Sequence, residues 1–312
     1  LLAIAGMLTG VPVRAASAHD LTELSLEDLL QVEVTTASKY KQDAREAPSQ
    51  VQVITADEIR QYGWRTLGEA LGSLPGFYTS DDGVYQYLGA RGFLSAGDYS
   101  TRFQLLLNGQ RLNDNIYEQA QFGTPFPLDM ALVERIEVIS GPGSAIYGSN
   151  ALFGVINVIA RDPSSMQGST GSVGLTSRGG RELRAATSTR LGQDGPNLLA
   201  SFSYADQSAQ DLSIPSARGS AILADGSTST DGIARGLGNG SVARAYVALQ
   251  DASGLRASAW ALQRDVVPSM ALYGTAFNSK TNSVYDASYG IAASLDRAID
   301  RSEEHTSELQ SP

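Results

Sequence analysis

The spacing of hydrophobic and polar residues changes once along this chain, close to Pro163. Before that point, strand-like and helix-like spacings follow one another. Residues 50–54 alternate as in a strand and run into a helical stretch. Thr55 and Glu58 have the spacing of a capping box at its start, and Gly63 would end it. The pattern predicts a strand followed directly by a short helix.

The rest of this first part continues the same mixture. A second helix, "TLGEALGSLPGF", has Thr66 as its cap and should end at Pro75-Gly76. Asn108-Gly109 lies between apolar residues and is typical of a hairpin turn. Two β-branched runs, "VERIEVIS" and "GVINVIA", lie on either side of a stretch rich in glycine and serine. Residues 20–162 are therefore predicted to form one compact domain of strands and helices.

After Pro163 the residues alternate with period two. In residues 182–191, five residues share one face: Leu183, Ala185, Thr187, Thr189 and Leu191. The other face carries Glu182, Arg184, Ser188 and Arg190. Residues 169–177, 197–205, 242–250, 254–263 and 287–296 are further strands, and each is close to the ~9 to 11 residues of a tilted transmembrane strand. One face suits lipid and the other a wet lumen, although a soluble β-sandwich would alternate as well.

Connection lengths distinguish the two ends of these strands. The links 192–196 and 251–254 are short, whereas 206–240 and 264–286 are long and rich in small polar residues. Outer-membrane barrels have short periplasmic turns and long external loops, so the long links are assigned to the outside. Plugged barrels have about 22 strands, so the six strands predict an incomplete barrel that should not insert by itself.

The two ends of the chain have compositions of their own. Residues 1–18 combine an apolar run with the A-x-A pattern at Ala16–Ala18, as in a signal peptide, although a buried first helix would also be apolar. Residues 21–30 have the spacing of a short amphipathic helix. Residues 301–312 resemble the translation of a sequencing-library adapter, so we expect a non-native tail on a fragment.

Composition narrows the chemistry. The chain has no cysteine, two histidines and a formal net charge of -10. A negative chain without a basic stripe is a poor nucleic-acid ligand. Histidine dyads and histidine or thiolate metal sites lack their residues, so we expect no catalytic residue, metal or cofactor. The glycine-rich stretch 140–154 lacks the lysine of a phosphate-binding P-loop.

Several motifs together resemble one family. "APSQVQVITADEI", "LGEALGSLPGF", "ARGF", "LLLNGQRL" and "RIEVISGPGSAIYGSNALFGVINVIARDP" have the order and spacing of the plug domain of TonB-dependent outer-membrane receptors. The resemblance covers about residues 30–163 and is greatest to cobalamin, catecholate-siderophore and colicin-type receptors. It implies an α+β plug domain followed by an incomplete antiparallel transmembrane β-barrel. The expected division is a periplasmic segment at 19–45, the plug at 46–163 and the first six or so barrel strands at 164–300.

The resemblance also implies a function and its partners. A TonB-type energy-transducing protein would drive uptake of a small-molecule nutrient complex, of the siderophore-iron or cobalamin type. The protein would be a monomer among the lipids of a Gram-negative outer membrane, with no enzymatic activity. Uptake of another ligand such as a glycan, and a secreted β-rich binding or adhesion protein, are the alternatives. A transcription-signalling receptor would carry an extra domain before the plug, and the dozen or so residues between Ala18 and Gln31 argue against this alternative.

Three groups of residues are implied to carry that function. The TonB box would be Val32, Glu33, Val34, Thr35, Thr36 and Ala37. Arg91 would hold the plug to barrel glutamates, but the family's second arginine is replaced by Ser140. Aromatic and charged residues at the plug apex are the ligand candidates: Tyr78, Asp81, Asp82, Tyr85, Tyr87, Tyr99, Arg102, Tyr117 and Phe122.

Overall fold

A computed structural model describes residues 33–34, 42–43, 51–93, 98–166, 168–176 and 179–296. The expected signal peptide (1–18), the amphipathic segment (21–30) and the adapter-like tail (301–312) lie outside the described residues. So do four residues of the expected TonB box: Val32, Thr35, Thr36 and Ala37.

The first part of the chain contains three short helices and nine strands among the residues that the structure describes. The helices are α1 (Ala56–Tyr62), α2 (Leu67–Leu71) and α3 (Ser144–Tyr147). The strands are β1 (Glu33–Val34), β2 (Gln42–Asp43), β3 (Val51–Thr55), β4 (Phe77–Asp81), β5 (Gln86–Ala90), β6 (Phe103–Leu107), β7 (Gln110–Arg111), β8 (Val133–Ser140) and β9 (Gly154–Ala160).

A five-stranded sheet with the order β3-β8-β9-β6-β7 organises this part. Its strands pair antiparallel except β6 and β9, which run parallel. Leu105, Ile136 and Ile156 are fully buried in the main core, together with Leu67 and Leu71 of α2. The other face of the sheet buries a smaller cluster beneath α3: Leu106, Ile139, Ala151 and Val155. The predicted α+β domain is confirmed.

Capping chemistry sets the helix starts as the sequence predicts. The Thr55 and Thr66 side chains each accept a hydrogen bond from the backbone N–H three residues on, and the carboxylate of the glutamate at that position accepts one from the backbone N–H of the threonine. Gly63 ends α1 with φ 69°. The predicted end of α2 at Pro75-Gly76 is wrong, because the helix ends at Leu71. After Gly72 the backbone hydrogen bonds span three residues instead of four, from Ser73 N to Ala70 O and from Leu74 N to Leu71 O.

The glycine-rich stretch joins two antiparallel neighbours, β8 and β9, through the single helical turn α3. Gly141 N donates to Phe153 O and Gly143 N to Ala151 O, so the loop continues the ladder beyond the strands. Gly154 lies between Ser140 of β8 and Phe103 of β6. A Cβ there would be 2.5 Å from the Ile139 carbonyl oxygen. The stretch therefore needs glycine at 154 because the strands approach too closely for a side chain.

A second, larger sheet follows. It has six antiparallel strands in the order β10 (Gly168–Leu175), β11 (Arg181–Arg190), β12 (Asn197–Gln207), β15 (Gly240–Gln250), β16 (Leu255–Val266) and β17 (Val284–Leu295). The sheet is not closed, since β10 and β17 form its edges in the part of the chain that the structure describes. Within that same part, no helix combines the length and apolar character needed to cross a membrane.

The two faces of this sheet differ as the alternation predicts. Phe202, Val247 and Leu249 point away from the first domain and are 46%, 40% and 36% exposed. Leu199 and Tyr246 lie on the other face and are buried in the main core of the first domain. We call the six strands the wall, and its face toward the first domain the inner face.

The long connection between β12 and β15 contains structure that the sequence analysis did not predict. Strands β13 (Gln210–Ser213) and β14 (Ile233–Leu237) form a hairpin there. Ala217, Ala234 and Leu237 are buried against Phe277, which belongs to the next long connection. Phe277 N donates to Ile222 O at 2.7 Å, so the two connections form one packed unit.

Candidate functional site

The first domain lies against the inner face of the wall. Apolar contact is made by Leu199, Tyr246, Ala248 and Trp260 of the wall, which join the core of the domain. Polar contact adds a hydrogen bond from Asn108 Nδ2 to the Tyr246 hydroxyl at 3.2 Å. Asn108 forms the predicted hairpin turn with Gly109, at φ 49° and 80°. One turn thus sets both the hairpin and a contact with the wall.

A cavity of about 720 Å³ lies between the domain and the wall. It is at the end of the strands where the long connections begin, because Asp206, Gly240 and Asp265 flank these connections, and Arg181 lies at the same end of β11. A second, polar cavity of about 410 Å³ shares these four residues. Both volumes fall within the range of small-molecule sites, about 300 to 1,000 Å³. The cavities are therefore the candidate ligand site.

The β4–β5 hairpin projects its tip into the large cavity. Asp81 lines the cavity and accepts a hydrogen bond from Gly83 N at 2.6 Å. Burial raises the pKa of the Asp81 carboxyl above its ordinary value, and the charge of Asp82 adds to the rise. Asp82 Oδ1 accepts from Val84 N and Tyr85 N, both at 2.8 Å, which fixes the turn. The tip is a rigid, acidic element of the cavity.

The wall holds this tip through polar contacts. The Tyr85 hydroxyl donates to Asp286 Oδ1 of β17 at 2.8 Å. The Arg264 guanidinium of β16 lies 5.1 Å from the centre of the Tyr85 ring, and its Nε is 3.3 Å from Asp286 Oδ2. Arg264 itself is only 2% exposed. A domain loop and two wall strands therefore meet around one buried guanidinium at the cavity.

Comparison with known proteins agrees with this arrangement of a domain on a strand wall. Residues 43–155 match the family model described as the TonB-dependent Receptor Plug Domain. These residues are the plug domain of a TonB-dependent receptor. The expected family and fold class are confirmed, and the first domain is called the plug from here on.

The similarity to named relatives and solved structures extends beyond the plug. The vitamin B12 transporter BtuB of Vibrio vulnificus is 31% identical over 200 residues, which is 64% of this chain and 30% of that protein. The siderophore receptor PirA of Acinetobacter baumannii aligns with 85% of this chain and 39% of its own, at a TM-score of 0.55 and 19% identity. The ferripyoverdine receptor of the outer membrane of Pseudomonas aeruginosa aligns with 75% of this chain and 27% of its own, at a TM-score of 0.54 and 17% identity. The chain thus spans about a third of the relatives it matches.

Two of the apex candidates are buried. Phe122 is fully buried, edge-on to Phe103 in the plug core. Tyr87 is 5% exposed, and its hydroxyl donates to Asp82 Oδ2 at 2.7 Å. Both residues are buried and neither lines either cavity, so their place among the ligand candidates stays a prediction.

Four other candidates are partly exposed. Tyr99 and Tyr117 stack with ring centres 4.9 Å apart. Arg102 pairs with Asp98 at 2.8 Å and lies 5.5 Å from the centre of the Phe153 ring. Tyr78 is 37% exposed on β4. None of these four lines either cavity.

The expected plug lock stays a prediction. Arg91 is exposed, with φ 53°, and no acidic side chain of the described wall strands pairs with it. Ser140 replaces the family's second arginine and accepts a hydrogen bond from Gln52 Nε2 at 3.1 Å, inside the plug. This hydrogen bond joins β3 and β8.

The described part of the expected TonB box is a strand. Glu33–Val34 pairs antiparallel with Gln42–Asp43, in register Glu33 to Asp43 and Val34 to Gln42. This two-residue ladder belongs to neither of the large sheets. The backbone of the segment thus has the extended form that an added partner strand requires.

Sequence reasoning missed the wall residues of the site, Arg244, Arg264 and Asp286. A signal was present, since each lies on the polar side of an alternating strand. Arginine within such a strand is costly unless it faces a partner inside the barrel. Only the assembled structure shows that the partner is the plug.

Proposed function

We propose that this protein takes part in TonB-coupled uptake of a scarce nutrient complex, of the siderophore-iron or cobalamin type, across a Gram-negative outer membrane. The observation that carries the proposal is the plug domain lying on the inner, polar face of a wall whose other face is apolar and exposed. Such a plug obstructs the lumen of a barrel whose outer face contacts lipid. Passage of a ligand then requires the plug to move.

Binding would take place in the cavities at the outer end of the wall. A ligand there meets Asp81 of the plug tip on one side and Arg181 and Asp206 of the wall on the other. The tip is fixed by its hydrogen bonds to Asp82 and Asp286, so the ligand finds a preformed surface. Because a bound ligand would contact both the plug and the wall, its affinity would depend on the position of the plug.

Energy would enter from the opposite side of the membrane. The extended segment at Glu33–Val34 would pair edge-on with a strand of a TonB-type protein, through backbone hydrogen bonds. Pulling on this segment acts on the plug through β3, which is an edge strand of its sheet. The protein would work as a monomer among outer-membrane lipids and perform no covalent chemistry.

The test is uptake by the complete receptor gene in a strain that lacks its own cobalamin and siderophore receptors. We expect growth on one class of complex as the sole source of cobalamin or of iron, and loss of that growth in a strain without TonB. Mass spectrometry of the purified receptor should find the same complex. Growth that persists without TonB, or glycan as the only bound ligand, would contradict the proposal.

A further inference from the structure

One extended segment of the plug, Thr124–Asp129, meets the wall differently from the rest. Its sequence is Thr-Pro-Phe-Pro-Leu-Asp, so two of its six residues lack a backbone N–H. Phe126 and Leu128 point into the plug core and are 2% and 1% exposed. The segment therefore presents acceptors to its surroundings, in the form of carbonyl oxygens, one hydroxyl and one carboxylate.

Three arginines of the wall supply the donors. Arg244 of β15 donates from Nε to Phe126 O at 2.9 Å and from Nη2 to Thr124 O at 2.7 Å. Arg264 of β16 donates from Nη1 to Thr124 Oγ1 at 2.9 Å. It also donates from Nη2 to Val84 O at 2.7 Å.

Arg184 of β11 completes the set. Its Nε donates to the Asp129 carboxylate at 3.0 Å. Every hydrogen bond between these arginines and the plug involves a charged group, which makes it shorter and stronger than a neutral one.

Strand register explains why the three side chains converge. Arg184 and Arg244 both lie opposite Ser203 of β12, on its two sides. Arg264 lies opposite Val242, two residues from Arg244, and therefore on the same face of the wall. The three cations form a short band across four neighbouring strands, and all three line the large cavity.

We propose that Arg184, Arg244 and Arg264 form a clamp, carried by the wall, that holds the plug segment Thr124–Asp129 in place beside the large cavity. The polarity is the reverse of the lock expected from Arg91, since here the wall supplies cations and the plug supplies acceptors. Arg244 is the centre of the clamp because its two donors span two carbonyls separated by a proline. A lysine offers no such fork.

Hydrogen exchange of the complete receptor in detergent tests the clamp without ligand or TonB. We expect Arg244→Gln and Arg264→Gln to speed exchange at the Phe126 and Val84 amides by about tenfold or more, since each removes charged hydrogen bonds. Arg256→Gln is the matched control. Arg256 lies on the inner face of β16 like Arg264, is exposed, and makes no hydrogen bond or ion pair with the plug within the described residues.

Two further arms make the result decisive. Arg244→Lys should resemble Arg244→Gln if the fork matters, and its behaving like the wild type would overturn the two-carbonyl role. Heat-modifiable migration on gels should show a folded barrel in every variant, so that faster exchange reports the plug alone. Folded variants that exchange like Arg256→Gln would overturn the clamp.

Cells give an independent readout that rests on the proposed function. Loosening the clamp in an outer-membrane receptor should raise sensitivity to a bulky antibiotic that is normally excluded. Faster exchange without sensitisation would support the clamp and count against the outer-membrane role. Equal exchange and equal sensitivity in clamp and control variants would overturn the clamp itself.

Discussion

Alanine at Gly154 should weaken the plug by a predictable amount. The new Cβ would lie 2.5 Å from the Ile139 carbonyl oxygen and 3.8 Å from Phe103 Cδ1. The first contact is with backbone in the middle of the sheet, so no side-chain rotation relieves it. Overpacking of this kind costs about 1 to 3 kcal/mol. Because replacing glycine also restricts the unfolded chain, about 0.4 to 1 kcal/mol of that cost is offset.

A net loss of roughly 1 to 2 kcal/mol corresponds to about 5- to 30-fold faster hydrogen exchange in a locally opening sheet. The amides of β8 and β9 in the purified receptor are the ones to follow. Gly171→Ala is the control, because Gly171 is also a strand glycine but its Cβ would meet only the Arg184 carbonyl oxygen, at 3.6 Å. Equal exchange in the two variants would refute the argument that close strand approach requires Gly154.

Four other changes test separate parts of the structure. Gly290→Ala places a Cβ 2.6 Å from Cη2 of Trp260, so the indole should leave the plug interface and its fluorescence shift to longer wavelength; an unshifted spectrum in a Trp64→Phe background would contradict this. Val34→Pro should abolish uptake while ligand binding persists, since it removes a strand donor, and normal transport would exclude this segment as the TonB box. Arg91→Ala should loosen the plug, and hydrogen exchange would show this as lower protection of the plug amides; unchanged protection would leave Arg91 an ordinary surface residue. The stability of the β4–β5 tip should fall as pH rises from the ordinary 3.8 of an aspartate through the raised pKa of Asp81, and a pH response that survives Asp81→Asn would exclude this group.

Local features of the fold were predictable because local chemistry determines them. The capping boxes at Thr55 and Thr66 and the Asn108-Gly109 turn are present in the structure as the sequence predicts. Alternation alone was enough to separate Leu183, which is exposed on the outer face of the wall, from Arg184 on the inner face. Each of these depends on residues within a few positions of one another.

The candidate site was less predictable because it depends on long-range contacts. Arg264 and Val84 are 180 residues apart, and Arg244 and Thr124 are 120 apart. No local pattern relates such pairs. Phe122 is a single aromatic residue in a polar loop, and only the structure shows that it fills the plug core beside Phe103.

The hairpin β13–β14 and the connection that contains Phe277 share the small core described above. We therefore expect the two to unfold locally as one cooperative unit. A protease cut in either connection would then release both, and the digestion pattern should show paired rather than independent cleavage. The hydrogen bond from the Arg235 backbone N–H to the Asn278 side-chain Oδ1, at 2.8 Å, strengthens this coupling. Grafting this surface onto another strand wall would require moving the two connections together, since neither carries a complete core of its own.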